Sequence, residues 1–140
     1  MKLAILCIVT VVLSSQVFAA RLEPQAQIDT FFGTLRNKGP TTAFEELCKN
    51  TLLEAQKKSE LAAGAPQIEA VLKIYGNIVR VENVEKKSFG ESFARFRLIS
   101  YHSSGAPLFW EFMFFKTKSE WQIYVFRYND QFYRAFSDTP

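Results

Sequence analysis

The chain has 140 residues, 48% of them hydrophobic and 22% charged, and its fourteen Phe supply ample core material for one globular domain. Formal charge is +3, falling to +2 (16 − 14) if an amino-terminal leader that carries Lys2 and no acid is removed. So small a balance excludes charge as an argument for a nucleic-acid or acidic-membrane partner.

Met1 to Ala19 reads as a signal peptide. Lys2 opens it, Leu3 to Leu13 form an apolar run, and Val17-Phe18-Ala19 precede a cut before Ala20. The run is shorter than the roughly 20 residues that span a bilayer as a helix. No later stretch is long and apolar enough to span, so residues 20–140 are expected to form a single released domain, periplasmic or secreted. An uncleaved anchor is the alternative. Cleavage removes Cys7 and leaves Cys48, which excludes an internal disulfide and suggests a small buried residue on a helix.

Three helices come first. Pro24 opens one in which Ile28, Phe31, Phe32 and Leu35 recur at helical spacing, and Lys38-Gly39-Pro40 ends it. Thr42 with Glu45 suggests a capping box for a second helix, carrying Phe44, Leu47, Cys48 and Leu52 toward Lys57, with a break near Asn50. Ser59 to Gly64 reads as an irregular turn. Pro66 is expected to start the third helix, with Ile68, Val71, Leu72 and Tyr75 on one face and Gly76 at its end.

Strands follow. Ile78 to Val84 alternates as a strand, and Glu85-Lys86-Lys87-Ser88 reads as a solvated link. Ser92 to His102 and Ala106 to Thr117 alternate around Ser103-Ser104-Gly105, a loop whose Gly suits the left-handed position of a three-residue hairpin. Pairing His102 with Ala106 sets Ala94 opposite Phe114, Phe96 opposite Phe112, Leu98 opposite Trp110 and Arg97 opposite Glu111. A turn at Lys118-Ser119 leads into Glu120 to Tyr128, and unbroken alternation there sets Phe114 opposite Ile123, Phe112 opposite Val125 and Trp110 opposite Arg127. The tail beyond Gln131, with Phe132, Tyr133 and Phe136, is expected to fold back in part.

One face of the sheet is then core. The other carries Arg95, Arg97, Phe109, Glu111, Met113, Phe115, Tyr124, Phe126 and Tyr128, too aromatic for ordinary surface and too charged for ordinary core. Aromatics, Met and Arg are enriched at interfaces, so a homodimer or an envelope protein partner is expected there; the alternative cover is the carboxy-terminal tail. Aromatics and arginines on a sheet also suit single-stranded nucleic acid, but an exported, nearly neutral chain argues against it.

The order of three helices and a bent antiparallel sheet resembles the NTF2-like (cystatin-like cone) superfamily. Leu72-Lys73-Ile74-Tyr75-Gly76 and Trp121 to Asp130 are similar to small exported bacterial members of unknown function, over about Gln25 to Asp130. The resemblance implies an α+β fold, three amino-terminal helices packed on a curved antiparallel sheet, with a pocket under the helices and an outer face that often pairs subunits. Trp110, Arg127, Tyr75 and Asp29 are the candidate pocket residues, suited to a small apolar or anionic ligand through an arginine beside an indole. The simpler readings are an Arg stem lying on Trp and, for Asp29, a solvated helix flank. Catalytic relatives place an acidic base in that pocket; no such residue carries over here, so no catalytic residue and no cofactor are assigned, and a binding or assembly module is expected, with a small-molecule enzyme or lipophilic-ligand carrier as the alternative. His102, the one His, makes no metal site alone and reads as an exposed turn residue.

Overall fold

The computed structural model describes residues 22–118 and 120–131. The expected signal peptide, Ser119 of the expected turn, and the aromatic residues from Phe132 onward lie outside the described residues. Three helices, α1 (Pro24–Lys38), α2 (Pro40–Cys48) and α3 (Leu52–Tyr75), precede four strands, β1 (Ile78–Phe89), β2 (Phe93–His102), β3 (Pro107–Lys116) and β4 (Trp121–Asn129). The strands form one antiparallel meander, ordered β1-β2-β3-β4.

α1 runs as expected from Pro24, with Ile28, Phe31, Phe32 and Leu35 all at most 4% exposed. α2 starts earlier than a Thr42 cap would allow, at Pro40. Proline suits the first helical turn because its missing N–H would find no partner there anyway. Asn50, at φ 59, breaks the chain after it. The side-chain cap belongs instead to Thr51, whose Oγ1 accepts from Glu54 N at 3.2 Å, while Glu54 Oε2 accepts from Asn50 N at 2.7 Å. From Thr51 the helix continues through Ser59 to Gly64 and past Pro66, kinked at Lys57 (φ −131, ψ 30). Burial of Ala65 and Ile68 holds the segment around Pro66 on the core, where the sequence suggested a fresh start.

β1 is longer than expected, because Glu85 to Ser88 pair with Arg97 to Ala94. β2 and β3 take the predicted register, Ala94 with Phe114, Phe96 with Phe112, Leu98 with Trp110 and Arg97 with Glu111. At their hairpin Gly105 has φ +87 and donates to His102 O at 2.8 Å. That turn is tied to the end of α3: Ser104 N donates to Tyr75 O (3.1 Å), Ser103 N to Asn77 O (2.9 Å), and Asn77 N to Ser103 Oγ (3.1 Å).

β4 breaks the expected alternation. Phe114 pairs with Ile123, but Met113 pairs with Val125, Phe112 with Phe126, Glu111 with Arg127 and Trp110 with Tyr128. Tyr124 is the extra residue of a β-bulge, and every side chain after it changes face. This one residue decides where β4 places its chemistry.

Candidate functional site

The helix-side face is filled at the centre. Trp110 and Phe112 are 0% exposed, and Phe31 lies edge-on to both at 6.0 and 5.5 Å. The bulge turns Phe126 inward, 4.7 Å from the Phe44 ring and 5.1 Å from Phe112, and brings Tyr128 to 5.8 Å from Trp110. Phe126 and Tyr128 therefore leave the outer face to which unbroken alternation assigns them. Arg127 makes the opposite move: it sits on the outer side, its Nε 3.5 Å from Glu111 Oε1, on the face away from the Trp110 indole. The pocket expected at Trp110 and Arg127 is occupied by rings. Asp29 is exposed on α1 and accepts from Gln25 Nε2 at 2.9 Å.

Behind Trp110 runs a buried polar chain. Trp110 Nε1 donates to Ser100 Oγ at 2.7 Å, Ser100 Oγ lies 2.8 Å from His102 Nε2, and His102 Nδ1 lies 3.0 Å from Gly76 O. A carbonyl only accepts, so Nδ1 carries a proton; in the neutral imidazole Nε2 then accepts from Ser100, and the Ser100 oxygen accepts from Trp110. His102 is 3% exposed, against the expected turn residue, because its imidazole finishes the junction of α3 and the β2–β3 hairpin. Serine hydrogen-bonded to histidine is the arrangement of an activated nucleophile, but Ser100 is 0% exposed, so no substrate reaches it. Tyr75 stands edge-on to His102 at 5.8 Å, with its hydroxyl 3.4 Å from Asp130 Oδ2. Burial, and then the Asp130 charge, push its phenol pKa up.

An open groove of about 800 Å³ lies elsewhere, between the first half of α3 and β4. Phe44, Leu53, Leu61 and Phe126 supply apolar wall, and Lys57, Glu60 and Arg127 supply charge. Lys57 Nζ and Glu60 Oε2 are 3.1 Å apart, with side chains 52% and 69% exposed. Tyr128 also lines the groove, its phenol pKa raised by burial. These groups can hold an elongated ligand; solvent-facing, ion-paired charges are poorly placed for proton transfer. The Lys57 kink and the Tyr124 bulge both lie along the groove, and neither has a clear signal in hydrophobic periodicity.

On the outer face Arg97 is 5% and Glu111 8% exposed. Arg97 Nε donates to Glu111 Oε2 (3.1 Å) and Nη1 to Glu85 Oε2 (3.3 Å), while Arg95 meets Glu85 Oε1 through Nη2 at 2.7 Å. Phe109 is 6% exposed, and Met113 is half-buried. Toward the β1–β2 hairpin, Phe93, Phe115 and Tyr124 form a ring cluster with centroids 5.7 to 6.2 Å apart. Phe89 beside it is 41%, Phe93 37% and Tyr124 48% exposed. Among the described residues no group of three or more His, Cys, Asp or Glu could hold a metal ion, and no helix is long and apolar enough to cross a membrane.

No protein-family model and no curated protein matches the chain. A solved structure from Campylobacter jejuni, assigned provisionally as an NTF2-like transpeptidase, superposes with a TM-score of 0.54 at 16% identity, covering 74% of this chain and 99% of that one. At that identity the likeness speaks for fold. With its three helices ahead of a curved four-stranded antiparallel sheet, the chain has the NTF2-like α+β fold.

Proposed function

We propose that this is an exported, non-catalytic binding module that holds its ligand in the groove between α3 and β4. The observation that carries the reading is the groove's make-up: aromatic and leucine walls, with charges that are ion-paired and turned to solvent. Such a surface buries an apolar ligand and orients it from the rim. The two side chains best suited to nucleophilic chemistry, the histidine-bonded Ser100 and the thiol of Cys48, are 0% and 2% exposed, which favours binding over catalysis. Native mass spectrometry of protein purified from its own host tests the reading. A retained small-molecule or peptide adduct, lost in a Leu53→Asp variant that still folds, supports it; adduct-free protein that takes up no added ligand refutes it. Export predicts a mature chain beginning at Ala20, read by amino-terminal sequencing.

A second reading, assembly through the outer face as a homodimer or with an envelope protein, is favoured by the exposed Phe89, Phe93 and Tyr124 rings. Light scattering decides it. A dimer that Tyr124→Glu converts to a folded monomer supports assembly, and a monomeric wild type removes the homodimer.

A further inference from the structure

The two edges of the sheet are finished differently. β1 carries five charged residues in twelve, Arg80, Glu82, Glu85, Lys86 and Lys87, and two register breaks against β2. β4 carries one charge in nine residues, Arg127, no proline, and a single register break against β3, the Tyr124 bulge. An edge strand turns the N–H and C=O of every second residue away from its neighbour, and charges or proline normally keep another strand from pairing there. β1 is guarded in that way. β4 is guarded far less.

Among the described residues no strand pairs with the outer edge of β4, and the groove lies along that strand. Tyr124 to Tyr128 line it in unbroken succession. Side chains of a strand alternate between faces, so consecutive residues share one groove only where it runs alongside the backbone. One wall is thus hydrogen-bonding main chain, and the other is apolar, from Phe44, Leu53 and Leu61. The rim is net positive, Lys57 and Arg127 against Glu60. An acyl chain would satisfy the apolar wall and leave the strand's polar groups unanswered.

Building on the groove as the binding site, we propose that its occupant is an extended polypeptide segment that adds to β4 as a fifth strand. Its apolar side chains, at alternate positions, meet Phe44, Leu53 and Leu61, and an acidic side chain or terminal carboxylate meets the Lys57 and Arg127 rim. The main-chain ladder supplies affinity, and the apolar wall with the basic rim selects the sequence.

The test is an array of hexapeptides alternating valine or leucine with threonine, with and without a terminal glutamate, applied to the full mature chain. The best binder is then followed by hydrogen exchange, beside a copy N-methylated at alternate amides and beside palmitate. Expected are slowed exchange at alternate β4 amides, loss of binding on N-methylation, and roughly tenfold weaker binding of the acidic peptide alone in Arg127→Glu, an exposed substitution. Palmitate bound in the groove with no array peptide captured overturns the peptide assignment and leaves the groove's binding role standing. If neither binds, both fail. Peptide binding that survives N-methylation, or protection of β4 at doubled mass without peptide, also overturns the proposal, the latter assigning the edge to a second copy.

Discussion

Deleting Tyr124 tests the bulge on which the placement of both the groove and the outer face depends. Phe114 pairs with Ile123 and Met113 with Val125, so removing Tyr124 leaves a regular strand with every other partner unchanged. What is lost is a ring 48% exposed, in contact with Phe93 at 5.9 Å and Phe115 at 5.7 Å. Two such contacts put the cost at about 1–2 kcal/mol. Phe126→Ala removes a ring set among Phe44, Phe112, Phe31 and Trp110. Full burial of Phe makes truncation worth about 3–5 kcal/mol, and partial burial here lowers that to about 2–4. Urea unfolding followed by tryptophan fluorescence measures both. In an unbulged strand the same deletion would invert every side chain from Val125 onward, and Phe126→Ala would be nearly silent. A deletion that abolishes folding beside a harmless Phe126→Ala therefore refutes the placement.

Three further outcomes are expected. Ser100→Ala strands the Trp110 N–H and the His102 Nε2 in a buried site, costing roughly 2–4 kcal/mol by chemical denaturation, and Trp110→Phe should cost less in that variant than in the wild type because it removes the stranded donor. Gly76 has φ 80 and ψ −168, a region essentially reserved for glycine, and a Cβ there would strike Ser103 Oγ; Gly76→Ala should cost at least about 1–3 kcal/mol in thermal or urea unfolding. Glu46 accepts from Lys38 Nζ and Thr34 Oγ1, and these bonds, Lys38 first, hold its carboxyl pKa below the ordinary value. A depressed folded pKa gives stability that is present at neutral pH and is lost as pH falls from about 4.3 toward the folded value, so the Tm gap between wild type and Glu46→Gln should close in acid.

The helices and strands were legible because their apolar residues repeat at the period of the element, and in β2 and β3 a one-residue slip would expose Phe96, Phe112 and Trp110 together. That constraint alone set their pairing and the meeting of Arg97 with Glu111. The sequence by itself also carried the order of elements and the resemblance to the cone fold. β4 was different, since Val125, Phe126, Arg127 and Tyr128 make sense on either face, and a bulge leaves no mark in such a run. Tertiary packing chose: Phe126 fits among Phe31, Phe44 and Phe112, while the outward turn takes Arg127 to Glu111. His102 and the kink at Lys57 were decided in the same way, one by a carbonyl at the end of α3 and the other by the course of a helix held down at Ala65 and Ile68. Local periodicity fixes which element forms; which side of it reaches a partner depends on contacts between residues far apart in the chain.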